Sequence, residues 1–131
     1  MAALPRLAGL HLYEDGIEAV PEIILGLRRS AIQVVHALDP AAGWAAARWR
    51  RHGGPPYVLV VEAVLRREHL VSRRRRIEML REAVAGAAGV VVPSEEAAEV
   101  MRRYAIADPY VVAEWWDAAA CETLYRQALE R

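Results

Sequence analysis

Four stretches of the chain are apolar at consecutive positions and too short to be helices: IQVVHAL (32–38), YVLVVE (57–62), GVVVP (89–93) and YVVAE (110–114). β-Branched residues at adjacent positions, and not at alternate ones, predict strands buried on both faces, as parallel sheets require. Three segments of helical character separate them: AAGWAAARWRRH, LRREHLVSRRRRIEMLREAVAGA and SEEAAEVMRRYA. Strands alternating with helices predict right-handed βαβ crossovers and an α/β fold, here a parallel sheet of four strands with flanking helices. AGLHLY (8–13) is a candidate fifth strand.

Local signals agree with this order. GlyGlyProPro at 53–56 marks the turn into the second strand, Pro40 follows the first, and Ser94 stands where it can cap a helix that opens on Glu95 and Glu96. A helix over 17–29 is expected to precede the first buried strand, with Ile17, Val20, Ile23, Ile24 and Leu27 on one face and Pro21 in its first turn. A last helix, capped by Asp117, is expected to carry Cys121, Leu124, Tyr125 and Leu129.

At 131 residues the chain suits one domain with its own core. Seventeen basic residues cancel seventeen acidic ones, so no global field draws it to nucleic acid or to an anionic membrane. Every basic residue is Arg, and a chain without lysine cannot use Schiff-base or Walker-type phosphate chemistry. The single cysteine, Cys121, has no internal partner, which fits a reducing compartment and a core thiol. With neither a signal peptide at the start nor an apolar run of about 20 residues, the expected location is the cytoplasm.

Ligands of doubly wound sheets bind beyond the carboxyl ends of the strands. Spacing puts nine residues there: His36 and Asp39 after the first strand, Glu62, Arg66, Arg67 and Arg73 after the second, Ser94 after the third, and Glu114 and Trp115 after the fourth. Glu62 is the best catalytic candidate, a carboxylate at the exit of an otherwise apolar strand. His36 reads first as a neutral core histidine bonded to backbone and second as a ligand contact, and Asp39 before Pro40 first as a turn or cap residue. Arg74, Arg75 and Arg76 read as a solvated charge run, whereas Arg66, Arg67 and Arg73 are placed to meet an anion. The four histidines have no metal-ligand spacing, and no GxGxxG, GxxxxGK or GxSxG loop occurs. No cofactor or metal is expected.

Two stretches taken in order carry a resemblance: IQVVHALDPAAGWAAARWRRHGGPPYVLVVEAVLRRE, then AAGVVVPSEEAAEVMRRY leading to YVVAEWWD. Over residues 30–117 the chain resembles the amino-terminal domain of GT-B glycosyltransferases, particularly glycosyltransferase family 4, with VVPSE the most specific piece. The resemblance implies a Rossmann-like domain, the second half of an acceptor-binding unit, in enzymes that transfer a sugar from a nucleotide sugar to an acceptor hydroxyl. It also implies a site shared with a donor-binding domain, whose paired glutamates have no counterpart in these residues. The departures fall on the rim. Gln33 replaces the family's Asp, Leu38 replaces a His, Glu62 and Ala63 stand where a HisGly pair is usual, and Glu114 and Trp115 replace Asn and Gly before the retained Asp117.

Two readings follow. One is the acceptor side of a truncated or split glycosyltransferase, inactive without a partner chain bearing the donor domain. The other is a non-catalytic assembly module on the same scaffold, self-associating as a homo-oligomer such as a homodimer. Its motive is four tryptophans, Trp44, Trp49, Trp115 and Trp116, in so short a chain. No nucleic-acid partner is expected, and a membrane surface stays an open candidate for the arginine run.

Overall fold

A computed structural model of the protein describes residues 7–10, 32–61, 74–103, 106–117 and 119–130. Its elements run β1 (Leu7–Leu10), β2 (Val34–Ala37), α1 (Pro40–Arg51), β3 (Tyr57–Val60), α2 (Arg74–Gly86), β4 (Gly89–Val92), α3 (Glu95–Arg103), β5 (Tyr110–Val111) and α4 (Glu122–Leu129). The expected helix over 17–29 and the first part of the arginine-rich segment, 62–73, lie outside the described residues.

All five strands are parallel and stand in chain order, β1-β2-β3-β4-β5, so the α/β, Rossmann-like architecture expected from the sequence is the one observed. The AGLHLY candidate contributes its first residues to β1, an edge strand with Leu7 opposite Val34 and Leu10 opposite Ala37. Crossovers of one hand between strands laid side by side put their helices on one face. Accordingly α1, α2 and α3 share a core with the side chains of Val35, Ala37, Tyr57, Leu59, Val61, Val90 and Val92. The alternate residues, Val34, Val58, Val60 and Val91, face α4. Each of β2 and β3 is therefore buried along its whole length, the condition that selects unbroken apolar runs.

α1 is held close to the sheet by small side chains. Ala41, Ala42, Gly43, Ala45, Ala46 and Ala47 are all buried. A Cβ on Gly43 would lie 2.5 Å from Leu59 Cδ1 and 3.0 Å from Ala83 Cβ, so only glycine fits where α1 crosses β3 and α2. Its amino end has Asp39 as N-cap and Pro40 in the first turn, and its last turn carries Arg48, Arg50 and Arg51 against the negative end of the dipole. Gly53 takes φ +88° just past the helix, where a left-handed residue turns the chain back and the Gly54 N–H reaches the Trp49 carbonyl at 2.8 Å. On α2, Met79, Leu80 and Ala83 are buried and Val84 packs against the core; the side chains of Arg74, Arg75, Arg76 and Ile77 lie outside the described residues. Glu82 ties the two helices together, accepting from Trp44 Nε1 at 2.9 Å and from the Arg51 guanidinium, while the Arg48 guanidinium stacks 4.3 Å from the Trp44 ring centroid.

Three expectations need correction. YVVAE was read as a buried strand over 110–114, but β5 has only two residues, and Tyr110 and Val111 are 50% and 43% exposed. As an edge strand it has one neighbour, and the chain leaves it for a turn at 113–116. Asp117 does not cap α4: its carboxylate accepts from the Ala119 N–H at 3.0 Å, organising the preceding turn, and the cap position falls on Cys121 without a side-chain bond. The buried face of α4 is Cys121, Leu124, Tyr125 and Ala128, whereas Leu129 is exposed. Ala128 lies four residues beyond Leu124 and so takes the inward position.

Candidate functional site at the carboxyl edge of the sheet

The register aligns the strand ends. Ala37, Leu59 and Val90 form one row and Val60, Val91 and Tyr110 the next, so residues 38–39, 61, 93–94 and 112–117 leave the sheet along one edge. Val61 stays attached through its N–H to the Val91 carbonyl at 2.9 Å. Glu62, Arg66, Arg67 and Arg73 themselves lie outside the described residues.

Of the other candidates, two serve as helix caps. Asp39 Oδ1 accepts from the Ala42 N–H at 2.7 Å and Ser94 Oγ from the Ala97 N–H at 3.2 Å, so α1 and α3 both direct their amino ends at this edge. The positive end of each helix dipole favours an acidic or anionic group there. Removing the cap in Asp39→Ala is expected to lower the unfolding free energy by about 1 kcal/mol, and Asp39→Asn to retain most of it, since Asn caps as well as Asp. Urea denaturation of the two variants checks this. Equal losses in both would show that the carboxylate does more than cap α1.

Glu114 and Trp115 occupy the turn after β5. Glu114 is exposed, its carbonyl accepting from the Asp117 N–H at 2.9 Å, and Trp115 is half-buried against the α4 face of the sheet. Trp116 packs edge-on against Trp115, ring centroids 5.4 Å apart, and is 65% exposed. Trp49 is a core residue, and Trp44 is partly buried with its indole N–H on Glu82.

His36 is placed differently from the rest. It precedes the last residue of β2 and turns away from α1, to lie 6% exposed beneath α4. Its Nδ1 shares a 2.6 Å hydrogen bond with the Tyr125 hydroxyl, a partner 89 residues away, and the rings meet edge to face. The sequence reading foresaw burial but expected a backbone partner. Burial drives the imidazole from its ordinary value down to about 4, so the ring is neutral at pH 7. Burial also pushes the Tyr125 phenol and the Cys121 thiol up, keeping both protonated.

Sequence reasoning missed the pairing of Tyr125 and Cys121 with this strand. The spacing of 121, 124, 125 and 128 marks the inward face of a helix, but no local signal says which strand that face covers. Among the described residues no three His, Cys, Asp or Glu side chains are grouped to hold a metal ion, and no described helix is long and apolar enough to cross a membrane.

The geometry is that of a parallel α/β sheet whose carboxyl edge carries two capped helix ends. Comparison with known proteins agrees with it. No curated protein matches the chain. The sequence profile described as Glycosyltransferase Family 4 matches residues 3–114, which takes in every strand and the three helices on the first face. The chain belongs to glycosyltransferase family 4.

Proposed function

We propose that the protein supplies the acceptor side of a GT-B-type sugar transfer, with a nucleotide-sugar donor held by a donor-binding domain on a partner chain. The observation that carries this reading is the family match over 3–114, which spans the sheet and brings its carboxyl edge with it. Residues at that edge, Glu62, Arg66, Arg67, Ser94 and Glu114, would meet the acceptor, with Glu62 as base towards its hydroxyl. Without the donor half there is no activated sugar for that hydroxyl to attack, so the chain alone is expected to be inactive.

The test is thermal stability of the purified chain against a panel of glycan and lipid acceptors and nucleotide sugars. Stabilisation by an acceptor class, abolished in Glu62→Ala, is the expected result. A chain stabilised by no acceptor, or equally well with Glu62→Ala, would overturn the assignment.

One observation favours the second reading, an assembly module. Tyr110 and Val111 on the edge strand and Trp116 beyond it are all large, apolar and exposed. Sedimentation decides between the two. A compact homodimer that no ligand stabilises supports assembly, and a monomer stabilised by an acceptor supports sugar transfer.

A further inference from the structure

Two hydrogen bonds tie α4 and its cap residue to the rest of the fold, one to β2 and one to the turn after β5. The Cys121 thiol donates to the Trp115 carbonyl at 3.6 Å, and the Tyr125 hydroxyl shares its 2.6 Å hydrogen bond with His36 Nδ1. The other ring nitrogen, His36 Nε2, is buried and has no hydrogen-bond partner among the described residues.

Among the described residues, nothing beside the imidazole offers it an opposite charge. Beside His36 in the sheet stand Gly9 on β1 and Val58 on β3, and the same face presents Val34, Val60, Val91 and Leu124. The titratable groups facing it from α4 are Tyr125 and Cys121, both protonated. Asp117 acts on those two and not on the imidazole, and Glu122 is engaged with Arg126 at 2.8 Å. α4 lies beyond the residues matched by the family, so this contact joins the shared scaffold to a segment outside the match.

We infer that the buried His36–Tyr125 bond is a proton-operated latch: a proton taken up by the His36 imidazole releases α4, and with it the turn that Cys121 holds through Trp115, from the sheet. Lifting α4 opens the imidazole to water, which is what the imidazolium requires. The sheet itself keeps the three helices packed on its other face, so release is local.

Hydrogen exchange of the full chain, corrected for the intrinsic effect of pH, reads this directly. Between pH 6.5 and 4 the opening constant of α4 is expected to rise up to tenfold per pH unit, roughly 300-fold at most. Amides of β3 and β4 should keep their protection over the same range. His36→Gln, which stays neutral, should make α4 protection independent of pH. Loss of protection in α4 and the strands together, or the same pH dependence in His36→Gln, would overturn the latch. A titration of the His36 ring nitrogens by NMR in the unmodified chain reads the same proton without a substitution. A depressed titration that moves α4 resonances in step supports the latch, and an ordinary titration that leaves α4 unmoved refutes it.

Discussion

Gly43→Ala is expected to destabilise the protein on its own and to stabilise it once Leu59 is also alanine. In the native structure the added Cβ meets Leu59 Cδ1 at 2.5 Å and Ala83 Cβ at 3.0 Å, inside a core where Leu59 and Ala83 are fully buried. Overpacking of this kind costs about 1–3 kcal/mol and outweighs the ~1 kcal/mol that alanine gains over glycine in a helix. Leu59→Ala alone removes a buried branched side chain from the central strand, beneath α1, and should cost about 3–4 kcal/mol, transfer and cavity together. With the leucine branch gone, the Gly43→Ala methyl enters the space it leaves, and helix propensity then decides the sign. A double-mutant cycle in urea measures the coupling. The same sign for Gly43→Ala in both backgrounds would show that α1 does not seat against Leu59.

Acid should destabilise the fold through His36 before the surface ion pairs respond. The folded imidazole sits at about 4 and the unfolded one at about 6.5, so between those values the unfolded chain binds the extra proton. Stability from this group is complete above pH 6.5 and is lost as the pH falls towards 4, on the order of 3 kcal/mol in all. The Arg102 pairs with Glu95 and Asp108 and the Arg126 pair with Glu122 are largely solvent-exposed and contribute little to the slope. Urea midpoints at pH 7, 6, 5 and 4.5 should fall steadily in the unmodified protein and stay nearly level in His36→Gln. An identical slope in both would place the acid sensitivity elsewhere.

How far the candidate site could be read from residues depends on what each residue needs. Asp39 and Ser94 were legible as caps because a cap bonds a backbone N–H three residues on, a relation contained in the sequence itself. The burial of β3 was legible because its residues are apolar at consecutive positions, whereas Glu62 lies outside the described residues. His36 was legible only as buried. Its partner is 89 residues away, and nothing local to VVHA names Tyr125.

The sequence by itself determined the buried strands β2, β3 and β4, the helices that alternate with them and hence the parallel α/β class, because propensity, caps and apolar runs act within a few residues. It also determined the tight seat of α1, whose alanines and Gly43 leave no bulk to hold it off the sheet. The tertiary structure alone decided that three helices share one face while α4 covers the other, and that Glu82 gathers Trp44 and Arg51. It also shortened β5 to two exposed residues, since a strand is buried by its neighbours and an edge has only one. These are contacts between distant parts of the chain, and they form only when the whole sheet and its helices close together.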